Sequence, residues 1–180
     1  MKRKNILILN IIFILSTVNA QFKEIYTIEN FDDITKDHKK VAILPFSITL
    51  ADKALPEGMT NEDLYSQNEA EGVSMQSAVY SRFLKKIKKY RISFQDVDKT
   101  NILLKKADVQ HQNLDEYTKE ELAEMLGVDS VISGVIHRDK PMKAGAAVAL
   151  AIFTGFGGAT NKTKLNLTIH NSGDGELLWK

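Results

Sequence analysis

A helix that passes through a glycine directly into a buried strand is the feature that most constrains this chain. Residues 121–136 read ELAEMLGVDSVISGVI. Thr118 and Glu121 have the spacing of a capping box ahead of Leu122, and Gly127 stands where the residue that follows a helix is expected. The apolar run after it is typical of a covered strand, in which Gly134 indicates a close approach or a bulge. This unit predicts a helix packed on a sheet.

Two further segments predict the partners of this unit. Residues 41–48 (VAILPFSI) form a continuous apolar run, which indicates a strand covered on both faces. Residues 51–61 contain a proline and a glycine and predict a loop. From residue 61 to residue 90 the apolar residues recur with the spacing of a helix. Acidic residues stand at its start and lysines at its end, an arrangement that the helix dipole favours. The predicted inward stripe of this long helix is Val73, Ala78, Val79, Tyr80, Phe83, Leu84 and Ile87.

The remaining segments complete a mixed sheet. Residues 91–97 alternate as a second strand, and residues 100–106 predict a short helix with Ile102, Leu103 and Leu104 inward. Residues 165–169 alternate again, NSGDG at 171–175 predicts a turn, and residues 176–179 return as the pairing strand. The expected fold class is therefore α/β: a single domain with a mixed β-sheet packed by a long helix and shorter helices, and with a C-terminal β-hairpin.

The chain divides into three parts. Residues 1–20 begin with three cations and continue into an apolar run too short to span a bilayer, with small residues at 18 and 20, which predicts a cleaved signal peptide. Residues 21–40 are expected to be an N-terminal lead-in with a short strand near 25–28, and residues 41–180 the α/β domain. Localisation is then periplasmic, and without cysteine no lipid anchor on a cysteine can form.

Charge and chemistry exclude several functional classes. Without the leader the chain carries 21 basic and 23 acidic side chains, a balance that gives no reason to expect nucleic acid. The four histidines lack metal-ligand spacing, no serine has a nucleophile-elbow pattern, and Asp96 with Asp98 is better explained by a turn than by a metal. We therefore expect no enzyme, no catalytic residues, no metal and no cofactor.

Three segments carry a resemblance to a known family. VAILPF at 41–46, LGVDSVISGVI at 126–136 and DGELLW at 174–179 resemble the periplasmic α/β domain shared by the curli secretion-channel lipoprotein and the N-terminal domain of the Tol–Pal translocation protein. They are also similar to a set of uncharacterised exported proteins of Bacteroidetes. The resemblance implies a sheet of apolar strands with a helix packed against it. Chains of this kind continue past the tryptophan into a further helix, so it also implies that the last strand here lacks its usual cover.

Residues 144–161 (AGAAVALAIFTGFGGATN) are eighteen residues without a charge. If the segment is a helix, the small residues Ala147, Ala151 and Gly155 line up on one face, with Phe156 beside them. If it is a strand, larger apolar residues alternate with alanines. They lack the polar alternation of a barrel strand and the length of a spanning helix, so we expect burial on the sheet or at a subunit contact rather than membrane insertion.

The sequence leaves three functions open. The first is a non-enzymatic periplasmic or envelope-associated interaction module in envelope assembly or transport. Its partner would be an envelope protein or a second copy of the chain, bound through the sheet edge or the interaction segment Ala147, Ala151, Gly155 and Phe156. The alternatives are an outer-membrane secretion-pore subunit and a small-ligand or polysaccharide-binding accessory protein.

Overall fold

A computed structural model describes residues 25–51, 55, 57–139 and 163–180, which form a mixed α/β body. The strands are β1 (Lys40–Ile43), β2 (Ser47–Leu50), β3 (Ser93–Phe94), β4 (Ser130–Arg138), β5 (Thr163–Asn171) and β6 (Leu177–Trp179). The helices are α1 (Phe31–Thr35), α2 (Asn61–Leu84), α3 (Val97–Lys106) and α4 (Lys119–Leu126). The predicted fold class, including the C-terminal hairpin of β5 and β6, is confirmed.

The strands form one sheet in the order β3-β1-β4-β5-β6, with β2 pairing the far half of β4. The strands β1, β2 and β3 run parallel to β4 or to one another, whereas β5 and β6 are antiparallel to their neighbours. A parallel pair needs a long crossover, and these crossovers contain α2, α3 and α4. The antiparallel pair β5–β6 closes through the short turn that the sequence predicts.

The prediction of one strand over 41–48 is wrong in one respect, because the chain leaves the ladder between β1 and β2. Leu44 still donates to the carbonyl of Ile132 at 2.9 Å, but the next residue, Pro45, has no N–H to donate. The N–H of Phe46 instead donates a hydrogen bond to the carbonyl of Gly72 in α2, at 3.2 Å. Both β1 and β2 pair with β4 in the same direction, so the chain leaves the sheet only briefly between them.

The break places the ring of Phe46 over β4 at Gly134, which confirms the predicted close approach. A Cβ built on Gly134 would overlap the ring carbons of Phe46, and one built on Gly72 would overlap the carbonyl oxygen of Phe46. Both glycines therefore provide room for a fully buried aromatic side chain and its backbone. The long helix and the central strand meet at this point.

Each face of the sheet has its own core. On one face α2 covers a cluster that contains Ile43, Phe46, Met75, Val79 and Ile132. On the other face α3 and α4 cover a cluster of ten buried residues, namely Ala42, Leu44, Leu104, Val109, Leu114, Leu122, Ala123, Leu126, Val128 and Val131. The alternation of side chains along β1 and β4 supplies both clusters, because successive residues point to opposite faces.

The sequence predicts where α4 begins and ends, but it does not predict correctly which side chains of the helices are buried. The capping box of Thr118 and Glu121 is present, and Gly127 ends α4 in the left-handed region with φ 62°. The second strand is shorter than predicted: only Ser93–Phe94 pairs, and Val97 already begins α3. Ile102 is exposed rather than inward, because α3 buries Val97, Thr100 and Leu104 instead.

The buried face of α2 differs most from its predicted stripe. Leu84 and Ile87 are exposed, and the buried residues of α2 include the polar Glu71 and Gln76. Gln76 donates through Nε2 to the carbonyl of Ile43 at 2.7 Å, next to the strand break. A carbonyl that leaves a sheet ladder needs another donor when it is buried, and Gln76 supplies it.

Candidate functional site

The two faces of the sheet are covered unequally, and this asymmetry creates the candidate site. Five adjacent strands are about 19 Å wide at ~4.8 Å per strand, whereas one helix with its side chains is about 10 Å across. On one face α3 contacts β1 while α4 contacts β4 and β5; on the other, α2 lies mainly against β1 and β2, and its side chains also pack with residues of β4 and β5. Among the described residues, the α2 side of β5 and β6 is therefore only partly covered.

A cavity of about 480 Å³ occupies this partly covered side, and we call it the apolar groove. Val79 and Phe83 of α2 form one wall, and Leu165 and Leu167 of β5 with Trp179 of β6 form the other. Trp179 pairs with Ile169 across the hairpin, so its side chain lies on the α2 face of the sheet. Trp179, Leu165 and Leu167 are only partly buried. The groove therefore has an apolar floor that solvent can reach.

Two large hydrophobic side chains that are exposed among the described residues, Ile25 and Tyr90, line this groove. With Leu165, Leu167 and Trp179 they give it an accessible apolar lining. An accessible apolar surface of this kind is characteristic of a binding site rather than of an ordinary protein surface.

Three cations stand at the groove: Arg82 and Lys86 at the C-terminal end of α2, and Lys180 beside Trp179. Its described lining contains no aspartate or glutamate. The exposed Lys86 follows the end of α2, so its charge lies at the negative end of the helix dipole. The apolar groove is thus bordered by positive charge on both walls, although the chain as a whole is nearly neutral.

An aromatic cluster fixes one end of the groove. The rings of Phe83 and Phe94 stack with centroids 4.8 Å apart, and Tyr90 packs edge-on against both at 5.8 and 5.7 Å. Such pairs add to the stability that burial alone provides. The wall made by the end of α2 is therefore held in place against β3.

The outer edge of β6 is already paired. The N–H of Tyr26 donates to the carbonyl of Lys180 at 2.9 Å, Lys180 returns a bond at 3.0 Å, and Ile28 donates to Leu178 at 3.0 Å. Thr27 and Trp179 form an antiparallel bridge. This isolated bridge lies in the lead-in, where we expect a short strand or an ordered segment, and it covers the sheet edge that a partner strand would otherwise use.

Metal chemistry receives no positive support in the described ranges. No three His, Asp or Glu side chains there gather into a group that could hold a metal. Asp96 accepts from the N–H of Lys99 as the N-cap of α3, as a turn role predicts. Asp174 accepts from Asn171 and from the N–H of Glu176 within the hairpin turn. Asp96 and Asp174 therefore each have a local structural partner.

The four histidines also serve separate local contacts. His38 Nδ1 lies 2.9 Å from Ser130 Oγ, and His111 Nε2 lies 2.9 Å from the carbonyl oxygen of Phe46. His137 contacts Asn166, and His170 contacts the carbonyl of Gly175. Burial lowers the pKa of His170, and nearby Lys119 lowers it further, while the contact with Gly175 opposes the shift.

A cluster that the sequence did not predict joins the lead-in to β4. Asp129 accepts through Oδ2 from the N–H groups of both Lys39 and Lys40, each at 2.8 Å. Partial burial opposes the ionisation of Asp129, but these two bonds, with His38 and Lys39 nearby, hold its pKa below the ordinary value. Asp129 thus positions the backbone before β1. The Gly-Val-Asp sequence at 127–129 is the local signal for this role.

The interaction segment expected at Ala147, Ala151, Gly155 and Phe156 lies outside the described residues. Within them, no helix combines the length and the apolar character that crossing a membrane would require. Comparisons with protein-family models, with curated proteins and with solved structures found no match for this chain. The class that the structure itself defines is a mixed α/β protein with one partly open sheet face.

Proposed function

We propose that this chain is a non-enzymatic interaction module of the bacterial periplasm or cell envelope, which binds a protein partner through the apolar groove. One observation carries the proposal: an accessible apolar groove of about 480 Å³ that the exposed residues Ile25 and Tyr90 help to line. Burying such a surface against a partner removes apolar area from water, which is the main source of affinity in protein interfaces.

The charges at the groove define the chemistry of the partner. Lys86 and Lys180 favour a segment that combines apolar side chains with nearby acidic residues, because opposite charges accelerate encounter and select the partner. A backbone strand is a weaker candidate, since the lead-in already pairs with β6. We therefore propose that side chains, rather than an added strand, are recognised.

Export is a separate part of the proposal, and it rests on residues 1–20. A basic start, a short apolar core and small residues at 18 and 20 fit a cleaved leader. Intact mass measurement on protein from the envelope fraction tests this directly. A mass that corresponds to a chain beginning at Gln21 is expected, and retention of residues 1–20 would contradict export through a cleaved leader.

Site-specific photo-crosslinking in cells tests the groove. A photoreactive phenylalanine analogue replaces Ile25, which lines the groove and is 61% exposed. The matched control is the same replacement at Ile102, which is 54% exposed on α3, on the other side of the sheet. We expect a discrete adduct, identified by mass spectrometry, from position 25 and none of the same mass from position 102.

Charge reversal then tests the basic border. Lys86→Glu should reduce the adduct formed at position 25, whereas Lys106→Glu, an equally exposed change at the end of α3, should leave it unchanged. An adduct of twice the chain mass would make the partner a second copy of this chain. Equal adducts from positions 25 and 102, or none from position 25, would refute the groove as the binding surface.

A further inference from the structure

A second cavity, which we call the inner cavity, lies on the same sheet face but under α1 and the segment that joins α2 to β3. Its volume is about 340 Å³, within the range of about 300–1,000 Å³ that is typical of small-molecule sites. It shares the aromatic side chains of Phe83 and Tyr90 with the apolar groove. Phe83 and Tyr90 of the aromatic cluster thus line both cavities.

The inner cavity is amphipathic. Its walls include Val41, Ile132 and Ile169 from three neighbouring strands, which are aliphatic. Ser130 and His38 also line it, with Ser130 Oγ and His38 Nδ1 2.9 Å apart. Ser130 is only 2% exposed, so this polar pair is built into the wall rather than placed on the surface. An apolar cavity with a few fixed polar groups is the usual form of a small-ligand site.

The charges of the inner cavity are all of one sign. Lys36, Lys89 and Arg91 line it, all three are exposed, and no carboxylate is among its described lining residues. Asp129, next to Ser130 in the chain, accepts hydrogen bonds from the N–H groups of Lys39 and Lys40. Three cations around one opening create a local positive potential that attracts an anion.

From this arrangement we infer that the inner cavity binds a single-chain amphiphile with an anionic head group. The apolar chain packs against Val41, Ile132 and Ile169, and the head group lies at the opening beside Lys36, Lys89 and Arg91. The inference goes beyond the proposed partner binding and does not depend on it. A ligand in the inner cavity would contact Phe83 and Tyr90, and so would be adjacent to whatever occupies the groove.

Methyl-resolved NMR titration with three matched probes tests this site. The probes are decanoate, the neutral decanol and the cationic decyltrimethylammonium, which share a ten-carbon chain and differ in head-group charge. Decanoate should shift the methyl resonances of Ile132 and Ile169, which line the inner cavity. It should shift those of Leu165 less, because Leu165 lines only the groove. Decanol should bind more weakly, and the cation should bind least.

Charge variants complete the test. Lys89→Gln should raise the Kd for decanoate about threefold, the loss expected for one exposed ion pair, and combining it with Lys36→Gln and Arg91→Gln should raise it about tenfold or more. Lys88→Gln, at the next position in the same short 3-10 helix, is the control and should leave the Kd unchanged. Circular dichroism confirms that each variant is folded.

Three results would overturn the inference: no shift at Ile132 and Ile169, larger shifts at Leu165 than at these two, or equal affinity for decanoate and decanol. The crosslinking result at position 25 is independent, since it uses no added ligand. Failure of the titration alone would therefore leave the groove proposal standing, and failure of the crosslinking alone would leave the ligand site standing.

Discussion

The buried ion pair between Glu71 of α2 and Arg138 at the end of β4 allows a quantitative test of how the long helix is held on the sheet. The two side chains are 4% and 1% exposed. Removing either charge leaves the other buried without its partner, which typically costs about 3–5 kcal/mol. Because small domains are stable by about 5–15 kcal/mol in total, Glu71→Met or Arg138→Met alone should remove a large part of the free energy of unfolding.

The double variant Glu71→Met, Arg138→Met should behave differently. It removes both charges and replaces them with apolar chains, a change that is often neutral or stabilising by about 1–4 kcal/mol at buried pairs. Among the described residues, Glu71 pairs with Arg138 through Nη2, and Arg138 Nε has no hydrogen-bond partner. The coupling energy between the two positions should therefore be several kcal/mol.

Urea unfolding followed by circular dichroism measures all four corners of this cycle. The single variants should lower the midpoint strongly without a change in m-value, and the double variant should return to the wild-type midpoint or above it. Glu124→Met, an exposed change on α4, should alter stability by about 0.5 kcal/mol or less. Additive losses, with the double variant less stable than either single one, would show that the two charges do not compensate one another.

Three further predictions concern the sheet. Ile132→Asp places an unpaired carboxylate at a position 2% exposed and should prevent accumulation of folded protein in expression trials, whereas Val135→Asp, at a half-buried position, should be better tolerated. Gly134→Ala should lower stability in urea melts by about 1–3 kcal/mol through overlap with Phe46, and Phe46→Leu should lessen that loss. Asp129 has a lowered pKa when folded, so its contribution is present above the ordinary value of 3.8 and is lost as pH falls through the folded pKa. Acid melts of Asp129→Asn should consequently depend less on pH below about 4 than wild-type melts do.

Local chemistry is what the sequence predicted well. The cap of α4 needs only Thr118, Glu121 and Gly127, which lie within ten residues of one another. The C-terminal hairpin likewise depends on one turn and two short alternating runs. Gly134 was recognisable because a glycine inside an apolar strand has few explanations other than a close neighbour. The cap and the hairpin are determined by residues near in sequence, whereas Gly134 indicates a close neighbour without identifying it as Phe46.

The features missed depend on contacts between distant segments. Gln76 is buried because the carbonyl of Ile43, 33 residues earlier, needs a donor, and Glu71 is buried because Arg138 lies across from it. A periodicity argument ranks positions by hydrophobicity, so it places both polar residues outside. The break between β1 and β2 was missed for the same reason, since an apolar run does not reveal where its N–H groups find acceptors.

The two residues of the long helical segment that were wrongly predicted to face inward lie near the apolar groove. Leu84 and Ile87 continue the predicted inward pattern, yet both are exposed among the described residues. There α2 lies mainly against β1 and β2, and the α2 side of β5 and β6 is only partly covered. Phe83, one residue earlier, lies at the boundary and lines both the groove and the inner cavity. Exposing an apolar side chain to water is unfavourable in free energy. Side chains that were predicted to be buried but lie at the edge of the core are therefore favourable places for a partner to bind. The accessible apolar residues that line the two cavities, together with the cations beside them, are the physical basis for proposing both a protein partner in the groove and an anionic amphiphile in the inner cavity.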